Sequence, residues 1–188
     1  MAQLRQCALI GLLTWGATAL AADQSFNDRL EMLDWSDPER AARIIDDPSL
    51  AKGQASEIQF HEIRGMVLVD VRRDADADAT MARLKEMADV GDQSAAVAEH
   101  YVRAYSLYQH GQYLQASIEL GHVDTAAIGS DTEAYRVAIL RGNTLRTLGQ
   151  AENALPFLEE ALDLAREMHD DQSVLHALLW LVHIYTNT

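Results

Sequence analysis

Apolar residues recur at three- and four-residue spacing along most of the chain, and strand-like alternation is nearly absent, so the pattern predicts helices throughout. Phe26, Leu30 and Leu33 form one short stripe. Asp37-Pro38 reads as a helix start, because Asp caps free backbone amides and Pro suits the first helical turn. Ala41, Ile44 and Ile45 follow on one face, and Asp47-Pro48 closes that helix. A third helix is expected over 51–72, carrying Ile58, Ile63, Val67, Leu68 and Val71. Residues 74–80 read as a turn into a fourth helix with Met81, Leu84 and Met87, which Gly91-Asp92 ends.

From there the sequence repeats itself. Gly111-Gln112 and Gly149-Gln150 are 38 residues apart. Around them Leu107 matches Leu145, Ala116 matches Ala154, Leu120 matches Leu158 and Val123 matches Ala161. A further unit near Ser173 places Leu178, Leu181, Val182 and Tyr185 on one face, with Tyr185 lying 40 residues after Leu145. Ser130 to Glu133 has the S-x-x-E form of a capping box. Gly142, Ala154 and Ala161 are small where two helices would cross at ~8–10 Å. A period of 38 to 40 residues built from two helices and a Gly turn points to a helical solenoid.

On these residues the chain resembles the tetratricopeptide repeat (TPR) family. Gly142, Leu145, Gly149, Ala154, Leu158 and Ala161 carry the resemblance in one unit. Leu107, Gly111, Tyr113, Ala116 and Leu120 carry it in the unit before, and Leu178, Leu181, Val182 and Tyr185 in the unit after. Three departures stand out: Arg141 where the family prefers Leu, Ala138 where it prefers a bulkier residue, and no closing Pro. The resemblance implies an all-α fold, a TPR-like superhelix of antiparallel helix pairs. Its parts would be a helical lead-in over 22–50, a degenerate hairpin over 51–94, and repeats over 95–188, the last incomplete.

Residues 1–21 read as a secretory leader, with Arg5, an apolar run from Cys7 to Leu13 and an A-x-A site at Ala19 to Ala21. That run is shorter than the ~20 residues a membrane span needs. Cys7 is the only cysteine in the chain, so the exported part is expected to have no disulfide and no thiol chemistry. The full chain carries 15 Lys and Arg against 29 Asp and Glu, a net charge of -14, which argues against nucleic acid and anionic lipid as partners. Leu175, Leu178, Leu179, Trp180, Leu181, Val182 and Ile184 crowd the last helix, where nothing follows to cover a second face. The expectation is a continuation of the protein or cover by another chain, including a homodimer through this face.

Candidate chemistry is sparse. There is no H-E-x-x-H, P-loop, G-x-S-x-G or G-x-G-x-x-G. His176 and His183 share a helix face but lack a third ligand, and no metal is expected there. Asp74, Asp76 and Asp78 resemble the start of a calcium loop, yet Ala79 and Lys85 occupy the places that need Gly and Glu. No cofactor and no catalysis are expected.

In TPR proteins the first helix of each pair lines a concave groove. Carried onto this chain, the groove residues are Tyr101, Tyr105 and Tyr108, then Arg136, Asn143 and Arg146, then His176 and His183. Such a surface suits a protein or peptide partner or a small acidic ligand, through Arg charge and Tyr area. The alternative is that the tyrosines pack against the preceding hairpin. The leader, the F-x-x-R-L-x-x-L stretch at Phe26 to Leu33 and the D-P-E segment at Asp37 to Glu39 together look like the periplasmic sensor region of bacterial GGDEF-type diguanylate cyclases. That resemblance implies a periplasmic sensor, tethered to the membrane by a further C-terminal segment. The other expectation is a freestanding periplasmic scaffold or assembly factor.

Overall fold

Asp37 accepts a hydrogen bond from the Arg40 amide at 3.0 Å and Pro38 takes the first helical position, so α1 (Pro38–Ile45) starts where the sequence says it should. It buries Ala41, Ala42 and Ile45. A computed structural model describes residues 37–46 and 57–187, and every regular element among them is helical. The leader, the Phe26 stripe, Asp47-Pro48 and the expected helix start at residue 51 lie outside the described residues. The chain divides into two compact units, Met1–Ser56 and Glu57–Thr188; α1 belongs to the first.

The second unit runs α2 (Glu57–Asp70), α3 (Asp74–Asp89), α4 (Gln93–Gln109), α5 (Tyr113–Gly121), a 3-10 turn (Thr125–Ala127), α6 (Asp131–Thr147), α7 (Ala151–Glu167) and α8 (Asp171–Asn187). Helices pair as α2 with α3, α4 with α5 and α6 with α7, and α8 packs on α7. This is an all-α, TPR-like stack of helix pairs. Two apolar clusters meet at α6, which gives Val137 and Leu140 to one and Tyr135, Ala138 and Ile139 to the other.

The turns between paired helices are copies of one another. Gly111 has φ +74° and Gly149 φ +75°. The amides of Gly111 and Gln112 reach the carbonyls of Tyr108 and Leu107 at 2.9 and 2.8 Å, and those of Gly149 and Gln150 reach Arg146 and Leu145 at 2.9 and 2.9 Å. This is the Schellman pattern, in which a left-handed residue lets the chain return and satisfy the last helical carbonyls. Ser130 caps α6 by accepting from the Glu133 amide at 3.2 Å, while the Glu133 carboxylate accepts from the Gly129 amide at 2.9 Å.

Residues 74–80 are not the turn the sequence suggests. The α2–α3 connection is the same Schellman turn with Arg72 at φ +60°: the Arg73 amide bonds the Leu68 carbonyl at 2.8 Å, and α3 begins at once with Asp74. Asp74 and Asp76 are then first-turn carboxylates, favoured by the helix dipole, and Arg73 pairs with Asp76 at 2.7 Å. With that boundary fixed, Gly65, Ala77 and Leu84 fall at the spacing of Ala104, Ala116 and Val123 and of Gly142, Ala154 and Ala161. All nine are buried. The hairpin is therefore a unit in register with the later ones, and only its non-glycine turn disguises it.

Two of these positions need glycine. A Cβ on Gly142 would sit 2.5 Å from Leu158 Cδ2 and 2.6 Å from its Cγ, and one on Gly65 would sit 2.5 Å from Val102 Cγ1. Arg141, one of the departures from the family pattern, is explained by α5. That helix has 9 residues against 17 in α7, so its end lies beside α6, where the Arg141 guanidinium donates to the Leu120 and Val123 carbonyls at 2.8 and 3.1 Å. These carbonyls lie at the C-terminal end of α5, where acceptors outnumber donors and a cation is favoured. Arg141→Leu, although it restores the family's residue, should cost about 1–2 kcal/mol in a urea melt.

The last helix also departs from expectation. Leu178, Leu181, Val182 and Tyr185 do not share a buried face: only Leu181 is covered, at 7% exposed, together with Ala177 and Ile184. The covered side is the one turned to α7; Leu178, Val182 and Tyr185 face outward.

Candidate functional site

The groove residues expected from the repeat register occupy corresponding faces of α4, α6 and α8, but packing divides them into two groups. Tyr101 is 4% exposed and belongs to the apolar cluster around α4. Above it Arg136, also buried, pairs with Glu62 of α2 at 2.9 Å, with its guanidinium carbon 6.0 Å from the Tyr101 ring centre. Tyr105 donates to the two Asp70 oxygens at 2.7 and 2.9 Å, and Gln109 donates to the Tyr105 hydroxyl at 2.8 Å. Burial pushes the Tyr105 hydroxyl far above the ordinary tyrosine range and raises the Asp70 carboxyl as well. Tyr108 is half-buried and meets Tyr113 edge to face at 5.3 Å. Tyr101 and Tyr105 thus pack against the preceding hairpin, the alternative the sequence left open. Arg136 is engaged by Glu62 and is not a free groove cation.

The second group is at α6 and α8. Asn143 is 6% exposed, and among the described residues nothing bonds its Oδ1. Arg146 lies with its guanidinium carbon 4.9 Å from the Trp180 ring centre, a cation–π arrangement, and its Nε has no hydrogen-bond partner among the described residues. His183 is exposed, with its ring 6.3 Å from Trp180. A buried acceptor and a buried donor thus lack partners one helical turn apart, and only Arg146 meets the indole face.

His176 has a structural role. The Trp180 indole is a donor only, so its 2.8 Å bond makes His176 Nε2 the acceptor. The proton must then be on Nδ1, which donates to the Tyr135 hydroxyl at 3.0 Å, and Tyr135 donates onward to the Ser173 carbonyl at 3.2 Å. Both ring nitrogens are used, so neither is open to a metal. Burial holds the His176 pKa below the ordinary 6.5. An unfolded chain takes up this proton as pH falls below about 6.5, while the folded one resists, so stability is full above that value and is lost as pH falls towards the lower folded pKa. Melting temperature should therefore drop between pH 7.5 and 5.5, and His176→Gln should flatten that drop. The comparison of the two proteins matters because half-buried His61 shifts in the same direction and Asp70 in the opposite one.

Sequence reasoning missed Trp180, Glu62 and Asp70. Trp180 was recoverable, being four residues after His176 and three before His183 on one helical face. Glu62 and Asp70 were not, since their partners lie 74 and 35 residues further along the chain. Among the described residues no group of three or more His, Cys, Asp or Glu could hold a metal ion, and no helix is long and apolar enough to cross a membrane. A cleft of about 240 Å³ lies beside the end of α5, bordered by Ile128, Ser130, Arg141 and Glu160; Arg141 already serves the α5 carbonyls there.

Among families, a model described as Anaphase-promoting complex subunit 5 matches residues 100–188, from α4 to the end of α8. This is a TPR-like helical repeat family, and the likeness supports the repeat fold over that stretch. No curated protein and no solved structure matches the chain.

Proposed function

We propose that the protein is an exported, non-catalytic TPR-like interaction module that holds an acidic peptide segment of a partner across the faces of α6 and α8. The observation that carries this is the Arg146 guanidinium stacked on Trp180 beside the exposed His183. Trp180 supplies a flat apolar wall beside them, and Arg146 gives a cationic focus in a chain of net charge -14. An acidic segment gains from Arg146 locally, while an indiscriminate basic partner would be drawn to the whole surface.

The wider setting we propose is the periplasmic sensor part of a signalling protein of the GGDEF diguanylate cyclase kind. Its support is the leader and the marks at Phe26 to Leu33 and Asp37 to Glu39. The test of the site itself is direct. A panel of acidic and basic peptides is titrated against the full chain and Arg146→Ala. Acidic peptides should bind in a salt-sensitive way, and Arg146→Ala should weaken them by about 10- to 100-fold. Equal affinity in the two proteins, or a preference for basic peptides, contradicts the assignment.

A further inference from the structure

The second helix of a repeat is long in two units and short in the one between them. Helices α3 and α7 have 16 and 17 residues, and α5 has 9. Helix α7 continues past Ala161 to Glu167, whereas α5 stops at Gly121, before Val123, the counterpart of Ala161. About two helical turns are thus missing beside α6. The 3-10 turn Thr125–Ala127 and the extended Ile128 span that stretch instead. A single extended strand is narrower than a helix, and the space left over is the cleft of about 240 Å³.

Its wall combines an apolar surface with a fixed cation. Val137 and Ala138 of α6 are buried beneath it, and Ala134 and Ile128 are half-buried beside them. Among the described residues Arg141 is the wall's one cation. Its Nη2 is spent on the Leu120 and Val123 carbonyls, and its guanidinium carbon lies 5.8 Å from the Phe157 ring centre, so the group is held in place before any ligand arrives. Among the described residues Nη1 and Nε bond nothing, and unlike Arg146 Nε they are not sealed from solvent. Burial works against the Arg141 charge, and Glu160 of α7 supports it from a distance.

The charges around the cleft narrow the ligand. Asp131 and Glu160 border it, so a second negative charge on a ligand would meet two carboxylates. One carboxylate finds the free donors of Arg141. An apolar body attached to it covers Ala134, Val137 and Ala138. An apolar space of about 150 Å³ holds benzene, and this cleft suits one ring with a short acid arm.

We propose that the cleft left by the short α5 binds a small monocarboxylic acid with an apolar body, its carboxylate on Arg141 and its body against the α6 stripe from Ala134 to Ala138. The cleft shares no residue with the surface at Arg146 and Trp180, and its occupation does not depend on the peptide proposed for that surface.

The experiment titrates the full chain with 3-phenylpropionate and, in parallel, with the neutral amide of the same acid, and follows backbone NMR shifts. The acid should move the Gly129, Ser130, Ala134 and Ala138 signals and bind at least about tenfold more tightly than the amide. Arg141→Leu should remove that difference. Ala134→Leu fills the cleft from a half-buried position, leaves Arg141 on its carbonyls, and should bind neither compound. Glu160→Gln, at an exposed position, should tighten the acid about twofold. Three outcomes overturn the proposal: no saturable shifts with the acid at about 20 mM, equal affinity for acid and amide, or an Ala134→Leu chain that binds the acid as the unmodified one does.

Discussion

Replacing Arg136 with Met should cost about 3–5 kcal/mol of folding stability, because it takes the guanidinium away from the buried Glu62 carboxylate. The two side chains are 8% and 3% exposed and lie 2.9 Å apart, so solvent screens the pair little. They also join α2 to α6 across Tyr101 of α4, and the loss would loosen three helices together. For a domain of this size that is a large share of a total stability of about 5–15 kcal/mol. Adding Glu62→Leu to Arg136→Met should recover most of the loss, since two apolar groups need no partner. Urea melts of the two singles and the double decide it; a single-variant cost under about 1 kcal/mol means that the pair is hydrated.

Gly142→Val should cost about 3 kcal/mol, and the same substitution should become favourable once Leu158 is Ala. In the wild-type chain even the first added carbon would overlap Leu158 Cδ2 and Cγ at 2.5 and 2.6 Å, and Leu158 is fully buried with nowhere to move. Leu158→Ala alone should cost about 2–5 kcal/mol through the space it leaves. The double variant refills that space from the other helix, so it should be more stable than either single, with a coupling of about 2 kcal/mol or more. Additive losses would show that α6 and α7 do not meet at these residues.

The parts of the fold that could be read from the sequence were those fixed by local chemistry. Gly111 and Gly149 end helices because each needs a left-handed conformation, and Ser130 and Glu133 cap α6 from within four residues. Small residues at Ala116, Ala154 and Ala161 marked the crossings for the same reason: the requirement is carried by one residue type at one spacing. The α2–α3 unit was obscured because Arg72 adopts the conformation usually marked by Gly, and because three alternate Asp residues resemble a loop although they suit a first helical turn. The recognition face was legible only as a face. Periodicity placed Arg136, Asn143 and Arg146 in one row, but whether each had a partner depended on distant residues. Glu62 neutralises Arg136 from α2, while Trp180 of α8 stacks on Arg146. The Tyr101 stripe had the period of a groove and the burial of a core, and only the neighbouring helix separates those two cases.

The most direct measurement is the map of backbone and indole NMR shifts when the tightest acidic peptide of the panel is titrated into the full chain. Changes centred on Asn143, Arg146, Trp180 and His183, with Leu114 and Ile118 on the exposed side of α5 unmoved, are the predicted result. Changes centred on α5 or on the outer side of α7, with the Trp180 indole silent, would contradict recognition at the faces of α6 and α8.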